Sequence, residues 1–84
     1  MEKELRKYYL SEFSYFDGDH NITFNIVGID MDKKEITIAI TDEGKISVPK
    51  FDLKIEDGHF FFEYGVMREK IAVDDFEQVE ENKN

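Results

Sequence analysis

The sequence predicts an all-β fold, a small antiparallel meander of five or six strands with a short helical turn near the C-terminus. Apolar and polar residues alternate with a period of two in residues 22–26, 36–40 and 60–64, which is typical of half-buried strands. Turn residues, often an acid followed by Gly, recur at intervals of about ten residues. Because the chain has no room for a crossover helix, we expect antiparallel pairing in a partly closed barrel or two short packed sheets.

Residues 2–16 fit two structures. Four apolar residues have helical spacing, namely Leu5, Tyr9, Phe13 and Phe16. Tyr9, Phe13 and Tyr15 also share one face of a strand, and the following Asp17-Gly18 pair suits a hairpin turn into the next strand. We favour the strand because aromatic residues prefer strands. A helix here would make the fold α+β.

The alternation changes parity between residues 46 and 55. Ile46 and Val48 share one parity, whereas Phe51, Leu53 and Ile55 share the other. Pro49 lies at the change, and proline belongs at a sheet edge or a bulge because it donates no ladder hydrogen bond. We therefore expect a bulge here that resets the faces of the strand, at a barrel corner or at a passage between sheets.

Acid-Gly pairs mark two of the predicted hairpins. Gly44 after Glu43, and Gly58 after Asp57, suit a type I turn followed by a bulge, which requires positive φ.

The C-terminal region predicts a short last strand around Ile71 and Val73, followed by a helical turn. Asp74 as cap and Glu77 at the third position resemble a capping box, and Phe76 and Val79 would then fold back on the core. We expect one domain over residues 1–79 and a frayed acidic tail over 80–84.

The predicted core follows from the alternation. It consists of Phe13, Ile22, Phe24, Ile26, Ile36, Ile38, Ile40, Ile46, Val48, Leu53, Phe60, Phe62, Ile71 and Val73.

The composition excludes several classes of protein. The chain has 84 residues, no cysteine, 40% hydrophobic residues and a formal net charge of −9. It contains no run of about 20 apolar residues, so we expect no membrane span. The acidic balance argues against direct nucleic-acid binding, which relies on clustered Lys and Arg. The missing cysteines and the lack of a leader-like segment suit a cytoplasmic protein.

The sequence contains no convincing catalytic or metal-binding motif. Asp17, Asp19 and Asn21 have the opening spacing of a calcium loop, but Ile22 occupies the position that requires Gly. His20 and His59 lie in or beside separate turns without zinc-ligand spacing. We therefore expect no enzymatic activity, no cofactor and no metal, and take both histidines as exposed loop residues.

Two groups of residues are candidates for binding a protein partner. Tyr8 and Phe61 belong to aromatic runs that place rings on both faces of a strand, and aromatic residues are enriched in interface cores. The second group holds the acids near the C-terminus, namely Asp74, Asp75, Glu77, Glu80 and Glu81.

These features predict a non-enzymatic protein-interaction module, either an adaptor or a domain that self-associates, for example as a homodimer through an edge strand. The alternative is an acidic inhibitor that imitates nucleic-acid phosphates and binds a basic nucleic-acid-handling protein.

Overall fold

The computed structural model describes residues 7–78, which form eight β-strands and a final 3-10 turn. The strands are β1 Glu12–Phe16, β2 Asn21–Asp30, β3 Glu35–Asp42, β4 Lys45–Ser47, β5 Lys50–Asp52, β6 Lys54–Glu56, β7 His59–Tyr64 and β8 Glu69–Ala72, and the turn is η1 Val73–Asp75. The all-β prediction is confirmed, as is the helical turn near the C-terminus. The predicted capping box is wrong, because Asp74 lies inside η1 and the cap residue, Ala72, makes no side-chain hydrogen bond. In these described residues no helix is long and apolar enough to cross a membrane.

The strands form two antiparallel sheets. Sheet A has the order β1-β2-β3, and both β4 and β5 pair with the far edge of β3. Sheet B has the order β6-β7-β8. The arrangement is therefore two sheets rather than a closed barrel. The eight strands exceed the predicted five or six because residues 45–56 divide into three short strands.

Pro49 divides β4 from β5 without changing their register. Asp42 pairs with Lys45 at one end and Glu35 with Asp52 at the other, with no inserted residue between. The C=O of Pro49 accepts a hydrogen bond from the N–H of Ile38 at 3.1 Å, but Pro49 has no N–H to return. The missing ladder bond interrupts the strand, so the predicted edge position is confirmed and the predicted bulge is wrong.

The passage between sheets occurs at Leu53, after Pro49. Leu53 lies between β5 of sheet A and β6 of sheet B, and its N–H still donates to the C=O of Lys34 at 2.8 Å. The register shift that the structure contains lies in β2, between Ile26 and Gly28. Gly28 lies at that bulge, and an isolated Gly inside a strand pattern is a sequence signal for one.

The N-terminal hairpin is confirmed, since β1 pairs along its whole length with β2. The helix alternative is wrong for residues 7–16, where a turn precedes β1; residues 2–6 lie outside the described part. Glu43-Gly44 and Asp57-Gly58 form two-residue turns with positive φ at both positions. Such turns are of type I′, so the predicted type I turn with a bulge is wrong.

The core lies between the two sheets. Its buried members are Tyr8, Ile22, Phe24, Ile26, Ile36, Ile38, Ile40, Leu53, Phe60, Phe62, Ile71, Val73 and Phe76, with Phe13 partly buried against them. Phe76 folds back on the core as expected, whereas Val79 and the predicted tail lie outside the described residues.

Ile46 and Val48 are the two errors in the predicted core. Their side chains are 69% and 57% exposed. Ile46 pairs with Thr41, and the same register sets Val48 beside Ala39, so both side chains project from the face of sheet A that points away from sheet B.

Candidate functional site

The outer face of sheet A carries an uncharged patch. Residues paired directly across antiparallel strands share a face, and the registers define this patch, called the outer patch below, as Ser14, Thr23, Asn25, Thr37, Ala39, Thr41, Ile46 and Val48. The same registers place charged residues at the border of the patch, where Lys50 pairs with Thr37 and Glu12 pairs with Asn25 on this face. The Thr and Asn side chains are half-buried in the sheet, while Ile46 and Val48 stand exposed at its rim.

The strands at that rim, β4 and β5, present backbone groups away from the sheet. Hydrogen-bonded positions alternate along an antiparallel strand. Since Pro49 and Leu53 bond toward the β3 side, the intervening even-numbered positions face the other way. The N–H and C=O groups of Ile46, Val48 and Lys50 therefore point outward along what we call the free edge. The N–H that Pro49 lacks would have faced β3, so proline does not block this edge.

The inner side of the free edge is also open. A groove of about 480 Å³ separates β4 from Tyr64 of sheet B and from Gly65 in the turn that follows, and it is also lined by Lys45, Ser47 and Pro49. A strand added at the free edge would thus have room on both faces.

The other sheet edges are shorter or partly covered. At the β1 edge, the N–H of Glu77 donates to the C=O of Glu12 at 3.0 Å. β6 spans only Lys54–Glu56 and β8 only Glu69–Ala72, and both carry charged residues. Short, charged edge strands resist pairing with other chains. β4 and β5 are also short and carry Lys45, Lys50 and Asp52, but together they keep one register over residues 45–52. Among residues 7–78 the free edge is therefore the longest edge available for pairing.

The structure changes the interpretation of both aromatic candidates. Tyr8, a candidate for partner binding, is 8% exposed and belongs to the core. Phe61 is half-buried on the outer face of sheet B. The Nζ of Lys70 lies 4.9 Å from the centre of its ring and 3.0 Å from Oε1 of Glu56. This ion pair bridges the two edge strands of sheet B and shields Phe61.

Three of the five acidic candidates lie exposed in or just after the C-terminal turn. Asp74 and Asp75 lie exposed in η1, and Oδ2 of Asp74 is 2.9 Å from Nδ1 of His59. Glu77 is exposed beside β1. Glu80 and Glu81 lie outside the described residues, so the acidic-inhibitor hypothesis stays a prediction.

A polar cluster forms where the β1–β2 turn meets the β3–β4 turn. Nδ1 of His20 lies 2.8 Å from Oδ1 of Asp42, and Nε2 of His20 lies 3.8 Å from Oδ2 of Asp17. Asp17 also accepts hydrogen bonds from the N–H groups of Asp19 and His20. These bonds stabilise the carboxylate and lower the pKa of Asp17.

Within residues 7–78, three side chains of this cluster could together hold a metal ion. Ligand atoms of His20, Asp42 and Glu43 all lie within 4.8 Å of one another. His20 is 30% exposed and Asp42 41% exposed, and they already contact each other. Nδ1 of His20 and Oδ1 of Asp42 are both buried, and their contact does not have the geometry of a hydrogen bond. His20 and His59 have different carboxylate partners and do not form one site.

Tyr15 and Tyr64 lie beside this cluster on the inner side of the sheets. The Tyr15 hydroxyl donates to Oε1 of Glu69, and this hydrogen bond to a carboxylate, with smaller contributions from desolvation and nearby negative charge, raises the pKa of Tyr15 to about 12. Burial is the main cause that raises the pKa of Tyr64. Phenols held in their protonated form are poor general bases at neutral pH, which fits a structural role.

Comparisons of the chain with protein-family models, curated proteins and solved structures found no match. The candidate site therefore depends on the geometry of this chain alone. Sequence reasoning missed the outer patch because it assigned Ile46 and Val48 to the core. The available signal was the other strands, since Thr37, Ala39 and Thr41 of β3 share their face.

Proposed function

We propose that this chain is a non-enzymatic protein-interaction module that binds an extended strand along its free edge. The observation that carries the proposal is the combination, in β4 and the residue after it, of outward backbone groups with the exposed side chains of Ile46 and Val48. A partner strand would gain backbone hydrogen bonds along the edge and apolar contacts on the outer patch, which is the usual basis of strand addition.

The contrast with protected edges supports this function. Proteins commonly shield edge strands with charges, prolines that remove outward donors, or covering segments. Here Pro49 removes an inward donor, and Ile46 and Val48 occupy outward positions where a charged residue would discourage pairing. Lys45 and Lys50 flank them, so the edge favours a partner whose strand is apolar at its centre and places no cation directly opposite either lysine.

Capture with matched variants tests this function. Immobilised wild-type chain is compared with Ile46→Lys/Val48→Lys, which places charges on the free edge, and with Val66→Lys. Val66 is 98% exposed in the β7–β8 turn, so it offers the same type of substitution away from the edge. Extracts of the native host, and untagged copies of the chain itself, are passed over each.

We expect at least one bound protein to be lost from the edge variant and kept by both the wild type and Val66→Lys. Far-UV circular dichroism should show that all three chains remain folded. If the edge variant retains every protein that the wild type binds, the free edge is not the interaction site and the proposed function is wrong.

A further inference from the structure

We infer that the strand bound at the free edge is the free edge of a second copy of this chain, with Ile46 of each copy opposite Val48 of the other. This inference rests on the proposed function, because it names the partner of the same edge. The argument comes from the pattern of outward residues, from the charges beside them and from the continuity of the outer patch.

The outward positions of the free edge are self-complementary. A two-fold antiparallel pair must set outward residues opposite outward residues. With the axis at Ser47, Ile46 pairs with Val48 twice, so both contacts are between apolar side chains. With the axis at Val48, Ile46 would face Lys50 twice and each contact would bury apolar surface against a cation. The first register is favoured because apolar cross-strand pairs are the more stabilising.

Charge is compatible with the Ser47 register despite the acidic chain. From Gly44 to Phe51 the only charged residues are Lys45 and Lys50, so no carboxylates oppose one another over the paired segment. Lys50 falls opposite Gly44 of the second copy, beside the carboxylate of Glu43. Lys45 projects from the opposite face to Lys50, where Asp42 pairs with it in its own copy.

The same register makes the two outer patches continuous. The row Ser14, Thr23, Thr41 and Ile46 continues into Val48, Ala39 and Asn25 of the second copy. The two copies of sheet A then form one sheet whose outer face is uncharged around Ile46 and Val48 and is bordered by Lys50 and Glu12. The contact is narrow compared with a standard interface of about 800 Å² per partner, so we expect a dimer in concentration-dependent equilibrium with the monomer.

Engineered cysteines test the register directly, because the chain has none of its own. In the Ser47 register, Ser47→Cys lies opposite itself across the axis, in a non-hydrogen-bonded pair with Cα atoms about 4.5 Å apart, which suits a disulfide. Val48→Cys would crosslink best in the alternative register, which has its two-fold axis at Val48. Val66→Cys measures the rate of crosslinking by random collision. Crosslinking under mild oxidation is followed on non-reducing gels.

We expect Ser47→Cys to form covalent dimers faster than Val48→Cys and Val66→Cys, by on the order of tenfold or more, because the pairing raises the local thiol concentration. Light scattering on the full wild-type chain should give a mass rising with concentration from 10.0 kDa toward twice that value. Ile46→Lys/Val48→Lys should keep the monomer mass, and Val66→Lys should behave as wild type.

Two other results would overturn the inference. Fastest crosslinking by Val48→Cys would overturn the register. A chain that stays monomeric, with equal crosslinking at all three cysteines, would overturn the second copy as partner. In that case the capture experiment separates the two proposals: loss of another protein from the edge variant leaves the proposed function standing, whereas unchanged capture removes both.

Discussion

Replacing Ile38 and Ile46 by Ala, one at a time, tests the assignment of faces in sheet A. The two substitutions delete the same atoms from adjacent strands, β3 and β4. Ile38 is 0% exposed, lies opposite Ile26 and faces sheet B. Ile46 is 69% exposed on the other face. The pattern of the sequence places both in the core, and only the three-dimensional structure distinguishes them.

The expected effects differ several-fold. Ile38→Ala leaves a cavity between close-packed side chains and should lower the free energy of unfolding by about 2–5 kcal/mol. A domain of this size loses roughly 4–8 °C of melting temperature per kcal/mol, so the melting temperature should fall by roughly 10 °C or more. Ile46→Ala removes a solvated side chain and should stay within about 0.5 kcal/mol of wild type.

Urea unfolding followed by far-UV circular dichroism measures both values. The chain should be dilute enough to be monomeric by light scattering, so that association at the free edge does not add to the stability of the wild type. The reasoning would be refuted if Ile46→Ala were as destabilising as Ile38→Ala, because Ile46 would then pack in a core. It would equally be refuted if Ile38→Ala unfolded at the same urea concentration as wild type.

Two further predictions concern a turn and a phenol. Gly44→Ala should lower the free energy of unfolding by about 1 kcal/mol, because φ is +83° at Gly44 and an L-residue is strained there. The cause is the backbone alone, since an added Cβ would meet no neighbour within 4 Å. A urea unfolding curve unchanged from wild type would contradict this prediction. The folded chain holds the Tyr15 proton up to a pKa of about 12, above the ordinary 10.0, so stability should fall as the pH rises from about 10 through 12. Ultraviolet titration of Glu69→Gln should show Tyr15 ionising at lower pH than in wild type.

Alternation predicts the fold well wherever a strand is paired on both sides. Ile22, Phe24 and Ile26 of β2 and their partners in β3 lie inward as expected, because one face of each of these strands is buried and a one-residue slip would expose the whole set. The turns at Gly44 and Gly58 are also predicted from the sequence. Their type is not, because it depends on how many residues the strand register leaves between the paired ends of the hairpin.

Local pattern fails at the edge of a sheet and where distant segments meet. Ile46 and Val48 alternate like core residues, but a strand paired on one side can expose either face. Tyr8 is buried by a turn that precedes β1, and no periodicity marks such packing. The contact between His20 and Asp42 joins two different hairpins, so the cluster depends on sheet order, which spacing along the chain does not reveal.

The two functional hypotheses predict opposite effects of salt on binding. Two copies that each carry a net charge of −9 repel one another, and the repulsion is screened as the Debye length falls from about 10 Å at 0.1 M salt to about 3 Å at 1 M. The contact inferred at the free edge is formed by backbone hydrogen bonds and by Ile46 and Val48, which salt weakens little. Self-association should therefore strengthen as sodium chloride rises. An acidic inhibitor bound to a basic partner should dissociate over the same range, because its attraction is screened.

Light scattering at one chain concentration measures the first effect, and Ile46→Lys/Val48→Lys distinguishes edge pairing from general loss of solubility. A dimer fraction that falls with salt in the wild type would show that charge pairs, rather than backbone hydrogen bonds and the contacts of Ile46 and Val48, hold the copies together.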